Sequence, residues 1–103
     1  MKEGIHVMHL FYRVDRMMWA ELEPRESSKA RENLVSWCEA TNNASQPLIR
    51  SYANVGGKAD LAFMLFHEDL SGLAQLHRDL EACFPPGVLE IVYSYLSVTE
   101  LTD

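Results

Sequence analysis

The chain has 103 residues, of which 48% are hydrophobic and 23% are charged, and its formal net charge is −6. This length predicts one domain, residues 1–103, with one core, and the composition excludes wholesale disorder. The acidic balance argues against nucleic acid or an anionic membrane as the main partner. No apolar run is long enough to span a bilayer, and the first residues do not resemble a signal peptide. We therefore expect a cytoplasmic protein whose Cys38 and Cys83 are reduced, with a disulfide or a reactive thiol as the alternative.

The first part of the chain predicts one strand and two helical segments. Residues 6–14 are rich in β-branched and aromatic side chains, which is typical of a strand. Asp15 is placed to cap a short helical turn. Residues 27–40 carry apolar side chains at helical spacing, with Ser27 or Ser28 as the expected N-cap.

The second part predicts three more strands and one more helix. Residues 48–55 and 59–66 indicate two strands, and Gly56-Gly57 between them favours a tight hairpin. Residues 68–84 have a helical leucine stripe that ends at two prolines, and residues 88–98 indicate the last strand. The order β-α-β-β-α-β predicts an α+β, ferredoxin-like sandwich, with four antiparallel strands and helices on one face.

The third strand is apolar on both of its faces, which is unusual for a sheet with one wet face. Its alternating sets are Leu61, Phe63 and Leu65 against Ala62, Met64 and Phe66. The first strand has the same character, with Met8, Leu10, Tyr12 and Val14 against Val7, His9 and Phe11. On the fourth strand we expect Val92, Leu96 and Val98 against Leu89, Ile91, Tyr93 and Tyr95. Since two helices can cover only one face, we predict that a second ferredoxin-like unit packs on the other.

The run Gly56-Gly57-Lys58 suggests a phosphate-binding loop, but its surroundings exclude one. Tyr52 stands where a P-loop requires glycine, and Ala59 stands where it requires Ser or Thr. A strand follows, whereas a P-loop is followed by a helix. Lys58 and Asp60 are better explained as an ion pair that closes the hairpin.

The residues alone indicate no catalytic, cofactor-binding or metal site. Four histidines are scattered along the chain: His6, His9, His67 and His77. His6 and His9 are three apart on a strand, so they face opposite ways and cannot chelate one ion together. His9 is either a hydrogen-bonded packing residue or a contact to a ligand held between sheets. Three strand tyrosines have phenols suited to proton transfer, although such residues more often serve packing: Tyr52, Tyr93 and Tyr95.

Three blocks of sequence carry a resemblance to a known family. They are GIHVMHLFYRVDRMMWAEL (4–22), with His9, Asp15 and Trp19, then YANVGGKADLAFMLF (52–66), then YSYLSVTEL (93–101). In this order they resemble the N-terminal half of the chlorite dismutase superfamily. The branch that they resemble is that of the coproheme decarboxylases, or HemQ-like proteins.

The resemblance implies a dimeric α+β barrel, in which two ferredoxin-like domains of one longer polypeptide pack sheet against sheet and assemble into rings. It also implies heme chemistry: peroxide-dependent decarboxylation of coproheme to heme b, or chlorite breakdown in other members. In the family, the heme-ligating histidine and the catalytic residues belong to the second domain. Heme is therefore implied for the complete protein, and no heme ligand is implied within residues 1–103.

The resemblance leaves three hypotheses for this chain. The first is a scaffold and assembly domain of a heme protein, with a homo-oligomeric state. The second is a stand-alone homodimer, monooxygenase-like, that holds a small molecule or heme between its sheets. The third is a subunit that completes a separately encoded C-terminal half.

Overall fold

The computed structural model describes residues 4–42, 48–55 and 59–99. Its elements are β1 Ile5–Val14, α1 Arg16–Glu21, α2 Pro24–Asn42, β2 Leu48–Val55, β3 Ala59–His67, α3 Leu70–Ala82 and β4 Leu89–Thr99. The strands form one sheet in the order β2-β3-β1-β4, and every neighbouring pair is antiparallel. The predicted α+β, ferredoxin-like fold is confirmed.

The short helix α1 begins at its predicted cap. The Asp15 carboxylate accepts a hydrogen bond from the backbone N–H of Met18 at 3.0 Å. The Asp15 backbone N–H donates to the Val88 carbonyl at 2.8 Å, next to the start of β4. The ring of Trp19 lies 6.4 Å from that of Phe84, beyond the end of α3. These contacts hold α1 against the chain between α3 and β4.

Helix α2 begins three residues earlier than its sequence pattern predicts, so the prediction of Ser27 or Ser28 as its N-cap is wrong. Pro24 occupies the first turn, where proline costs no hydrogen bond. The Glu26 carboxylate accepts from the Glu23 backbone N–H at 2.9 Å, as in the second half of a capping box. The Ser27 hydroxyl donates to the Pro24 carbonyl at 3.1 Å. Glu26, and not Ser27 or Ser28, therefore provides the capping carboxylate at the start of α2.

Asp60 fixes the end of β1 to the start of β3. Its carboxylate accepts from the Val14 backbone N–H at 2.9 Å and lies 3.5 Å from the Arg16 guanidinium. The predicted hairpin at Gly56-Gly57 and the predicted Lys58 ion pair lie outside the described residues. Within the described ranges, the Asp60 carboxylate of β3 therefore binds the backbone of β1, a contact that the sequence pattern does not indicate.

The core lies between the sheet and the helices α2 and α3. Its buried cluster consists of Leu10, Tyr12, Ile49, Phe63, Leu65, Leu73, Leu76 and Leu80. The Tyr12 side chain is fully buried, and its hydroxyl donates to the Glu81 carboxylate of α3 at 2.8 Å. Burial, then the hydrogen bond to Glu81 and its negative charge, raise the pKa of Tyr12 far above its usual value. The phenol is therefore a permanent donor that ties α3 to β1.

Strand β4 contains one extra residue where it pairs with β1. Phe11 is opposite Tyr93, but the next residue, Tyr12, is opposite Ile91. Val92 is the extra residue of a β-bulge, which reverses the alternation of side chains between its two sides. Two residues predicted to share a face with Tyr93 therefore lie on the opposite face, and for them the prediction is wrong: Leu89 and Ile91.

Both cysteines, Cys38 and Cys83, are free thiols, as predicted. Burial raises the pKa of each thiol, and nearby Cys38 and Asp79 raise that of Cys83 further. A raised pKa disfavours the thiolate and hence nucleophilic reactivity. Among the residues that the structure describes, no helix is long and apolar enough to cross a membrane.

Candidate interaction site: the open face of the sheet

One face of the sheet packs against α2 and α3, and we call it the helix face. Because directly paired residues of antiparallel strands share a face, the strand registers also define the opposite face. This second face, which we call the open face, consists of Ile5, Val7, His9, Phe11, Arg50, Ala62, Met64, Phe66, Tyr93, Tyr95 and Ser97, with the charged pair Arg13 and Glu90 at one end. Most of these side chains are apolar or aromatic, which confirms the predicted two-faced character of β1 and β3.

The exposure of the open face increases towards β4. Val7 and Ala62, on the two central strands, are only 2% and 4% exposed, whereas Tyr93 and Tyr95 are 61% and 45% exposed. Nine large hydrophobic side chains are exposed among the described residues, and five belong to the edge strand β4: Tyr93 and Tyr95 on the open face, and Ile91, Leu96 and Val98 on the opposite face. An apolar surface concentrated in this way marks an interaction site more often than a solvated face.

Four rings from β1 and β4 form a continuous group on the open face, which we call the aromatic cluster: His9, Phe11, Tyr93 and Tyr95. The His9 and Tyr95 rings stack with centroids 4.1 Å apart and an interplanar angle of 9°. The Phe11 ring lies 5.9 Å from that of Tyr93 and 6.4 Å from that of Tyr95. The two tyrosine rings are 5.6 Å apart. Mutual stacking holds these rings in place before any partner arrives, and such rigid aromatic groups are typical of protein interfaces.

His9 is the ionisable member of the aromatic cluster besides the phenols. Its Nε2 atom lies 3.1 Å from the Ser97 Oγ atom, within hydrogen-bonding distance. Burial lowers the pKa of His9 below its ordinary value. The structure therefore gives His9 the hydrogen-bonded packing role that the sequence offered as one of two possibilities.

The two phenols of the open face differ from the buried Tyr12. Neither the Tyr93 nor the Tyr95 hydroxyl is hydrogen-bonded to a described residue, and both side chains are exposed. The Tyr52 side chain, the third tyrosine singled out in the sequence, lies outside the described residues. The hydroxyls of Tyr93 and Tyr95 are thus available to a partner or to water.

The other three histidines lie away from the open face, and each has a hydrogen bond. The bonds are His6 Nδ1 to the Glu68 carbonyl at 2.8 Å, the Asp69 N–H to His67 Nδ1 at 2.9 Å, and His77 Nε2 to the Glu81 carboxylate at 2.9 Å. Among the described residues, no three His, Cys, Asp or Glu side chains come together where they could hold a metal ion.

The described residues do not fit a heme site. A heme needs an axial ligand with a free nitrogen facing a deep apolar cavity. The imidazole on the open face, His9, is stacked on Tyr95 and engaged by Ser97. Four surface cavities lie at the helices and at the ends of the sheet, and none of these four is lined by the aromatic cluster. One of them, of about 660 Å³ between α2 and the end of α3, is lined by apolar residues such as Phe84 and by four charged ones: Arg25, Glu26, Lys29 and Glu32.

Comparison with known proteins agrees with this fold. Residues 25–103 match the chlorite dismutase family. A Halobacterium salinarum protein named for heme binding is 31% identical over 97% of this chain. A solved heme-binding protein of Thermus thermophilus is 31% identical over 94% of the chain, with a TM-score of 0.79. A mutant chlorite dismutase of Candidatus Nitrospira defluvii, 16% identical, has the same fold over the whole chain, with a TM-score of 0.81.

The chain spans only part of each relative. It covers 21% of the Halobacterium protein, 40% of the Thermus structure and 43% of the Nitrospira structure. The family match extends over more than half of the chain, and the 31% identity over nearly all of it agrees with that match. The chain belongs to the chlorite dismutase family.

Proposed function

We propose that this chain is the scaffold and assembly domain of a chlorite-dismutase-like heme protein. Its open face packs against the sheet of a second ferredoxin-like domain, or of a second copy of the chain. The observation that carries this proposal is the aromatic cluster, a set of four rings fixed on an apolar sheet face that none of the described helices covers. A surface of this kind is stabilised when a complementary sheet excludes water from it.

We propose that the heme of the complete protein binds in a part of the protein beyond this domain. Two relatives, from Halobacterium and Thermus, are named for heme binding, and this chain covers less than half of each. Within the described ranges, no three His, Cys, Asp or Glu side chains come together where they could hold a metal ion. We propose that the whole protein carries out peroxide-dependent decarboxylation of coproheme or related heme oxidoreductase chemistry, and that this domain holds the second one in position.

A second candidate function is a stand-alone homodimer that binds a small molecule or heme between two copies of the sheet. The observation that favours it is the set of polar groups on the open face. The imidazole of His9 and the free hydroxyls of Tyr93 and Tyr95 would all line the space between two copies. In this case two copies of the sheet would form the binding site.

Heme titration with a mass measurement separates the two candidates. The purified chain is titrated with heme and with coproheme while the Soret band is recorded, and its mass is measured by light scattering. The scaffold function predicts no stoichiometric Soret change. A tight complex of one heme per homodimer would contradict it and establish the second candidate. Reading the gene beyond codon 103 is a further test, since the scaffold function predicts a frame that encodes another domain.

A pair of charge substitutions tests whether the open face is the docking surface. Met64→Asp places a carboxylate in the middle of the open face, next to His9 in the strand register. Val35→Asp places the same group on α2, at a side chain that is 56% exposed. We expect Met64→Asp to abolish association of the chain through its open face. We expect Val35→Asp to leave that association unchanged, as measured by sedimentation velocity. Equal effects of the two substitutions would contradict the assignment of the surface.

A further inference from the structure

We propose that the outer edge of β4 pairs with the same edge of a second copy of this chain, with the two strands antiparallel and centred on Leu96. The two four-stranded sheets then continue into each other as one sheet. This inference goes beyond the proposed function, because it concerns an edge of the sheet and not its open face. Since the two contacts use different surfaces, either one can fail without the other.

The two edges of the sheet differ in how their backbone groups are occupied. The strand order places β2 at one edge and β4 at the other. At the β2 edge, the Ile49 N–H donates to the Asn42 Oδ1 atom at 2.7 Å, and the Asn42 Nδ2 atom donates to the Ile49 carbonyl at 3.3 Å. The Asn42 amide thus takes the hydrogen-bonding positions that a further strand would use. Unpaired backbone groups at a sheet edge otherwise attract another strand.

The second half of β4 has no protection of the usual kinds. Proteins protect an edge strand with charged side chains, prolines or bulges. In β4, the charged residue Glu90 and the bulge at Val92 both lie in the first four residues of the strand. Residues 93–99, which we call the edge segment, contain no charged residue, no proline and no bulge. Among the described strands, none pairs with the outer side of this segment.

The edge segment also exposes apolar side chains on both faces of the sheet. Tyr93 and Tyr95 lie on the open face, whereas Leu96 and Val98 lie on the helix face, and all four are exposed. Leu96 and Val98 stay exposed because α3 packs over β3 and β1, and α2 packs over β2. A strand added along β4 would cover the outer side of each of these side chains and remove apolar surface from water.

The sequence of the edge segment is complementary to itself when two copies run antiparallel. In a two-fold contact each pair of residues occurs twice, and Leu96 is the middle residue of the segment. Pairing about Leu96 places Tyr95 opposite the partner's Ser97, and Ser94 opposite the partner's Val98. Each pair joins a larger and a smaller side chain that share a face of the sheet. Because the segment carries no charge, no like charges meet, and a second copy fits this edge.

Edge pairing leaves the open faces accessible. Because paired residues of antiparallel strands share a face, the open faces of the two copies lie on the same side of the combined sheet. The aromatic cluster of each copy can then still dock against another sheet, as the proposed function requires. The edge contact is therefore an additional assembly contact of the same domain.

The test is the dissociation constant of the 103-residue chain, measured by sedimentation velocity in the Met64→Asp background, in which the added carboxylate blocks the open face. Leu96→Lys places two ammonium groups opposite each other in the paired strands. Ile91→Lys is the matched control, since Ile91 lies on the same face of β4 and is 43% exposed, against 49% for Leu96, but precedes the edge segment. We expect Leu96→Lys to raise the dissociation constant by at least about tenfold, and Ile91→Lys to leave it unchanged.

A second measurement leaves the open face intact and covers the case in which Met64→Asp folds poorly. Directly opposite residues of antiparallel strands have Cα atoms about 4.5 to 5.5 Å apart, within the range of about 4.4 to 6.8 Å that a disulfide spans. We expect Leu96→Cys, oxidised with glutathione disulfide, to give a covalent dimer on a non-reducing gel. Ile91→Cys is the control and should stay monomeric on the gel, and Cys38 and Cys83 are present in both variants.

The outcomes separate the edge contact from the proposed function. A Met64→Asp dimer that is weakened by Leu96→Lys and not by Ile91→Lys supports edge pairing. A Met64→Asp chain that is folded and monomeric at every concentration overturns edge pairing and leaves the open face as the docking surface. Equal effects of the two lysines, or equal cross-linking of the two cysteine variants, also overturn it. Wild-type association that Met64→Asp does not change, but Leu96→Lys weakens, supports edge pairing and contradicts docking through the open face.

Discussion

The two faces of the sheet are built from similar side chains and differ in what covers them. On the helix face, Leu10, Phe63 and Leu65 are at most 1% exposed, because α2 and α3 pack over them. On the open face, the neighbouring Phe11 and Met64 are only half-buried, and Tyr95 is 45% exposed. The composition of a sheet face therefore does not show whether helices cover it. The two faces differ because the described helices α2 and α3 pack on only one of them.

The largest effect that we predict contrasts adjacent residues of β3 that point to opposite faces. Phe63→Ala empties a fully packed site on the helix face and should cost about 3–5 kcal/mol of unfolding free energy. Met64→Ala, on the open face, should cost about 1 kcal/mol in the monomer, because the residue is only half-buried. Urea unfolding of dilute chain measures both. Equal losses would mean that the open face is already covered in the monomer.

The next prediction compares two phenols. Tyr12→Phe removes the 2.8 Å hydrogen bond to Glu81 while the ring stays packed, and should cost about 1–2 kcal/mol. Tyr95→Phe removes a hydroxyl with no described partner and should leave monomer stability within about 0.5 kcal/mol. Urea unfolding of the dilute chain measures the loss of unfolding free energy in both variants. If Tyr95→Phe were the costlier change, the hydroxyls of the open face would have partners in the monomer.

A smaller effect concerns the packing of α3 on the helix face. Gly72→Ala normally stabilises a helix by about 1 kcal/mol. Here the added Cβ would collide with the His67 ring, whose Nδ1 accepts the Asp69 N–H at 2.9 Å. We therefore expect a net loss of about 1 kcal/mol, recovered in part by the double variant Gly72→Ala/His67→Ala. A stabilised Gly72→Ala chain would show that His67 moves aside freely.

The smallest effect is the pH dependence of monomer stability that arises from His9. Its pKa is lowered in the folded chain, so the unfolded chain binds more protons as the pH falls below the ordinary value. His9 therefore lowers the unfolding free energy as the pH falls from about 6.5 towards its folded pKa, and adds no further change below that. Urea unfolding at several pH values, with His9→Gln as reference, measures this contribution. An identical pH profile in both chains would refute it.

Much of the fold could be predicted because most of its signals are local. The apolar run of β3, the prolines that follow α3 and the leucine stripe of α3 each specify their element without reference to distant residues. The start of α2 was missed because the N-terminal cap depends on the Glu26 carboxylate reaching back to Glu23, whereas serines are the more usual caps. Both glutamates are visible in the sequence, so the capping-box spacing could have indicated them.

The site was harder to predict than the fold, because it depends on pairing between distant strands. His9 meets Tyr95 and Ser97 only in the β1–β4 register, and no local pattern specifies that register. Likewise, the Asp60 carboxylate accepts a hydrogen bond from the Val14 backbone N–H, 46 positions away, and no local pattern indicates that contact. The sequence did indicate the open face itself, since its apolar character is a property of each strand alone.

The bulge at Val92 has a consequence for how β4 tolerates insertions and deletions. If β4 paired regularly with its present sequence, Ile91 would move to the open face and the charged Glu90 would move under the helices. Removing any residue between Tyr93 and Ser97 would likewise shift part of the strand to the wrong side of the sheet. Deleting Val92 would instead turn the bulge into regular pairing and leave Leu89, Ile91 and Tyr93 on their present faces. Val92 is thus the position at which β4 can lose a residue while its other side chains stay on their present faces of the sheet.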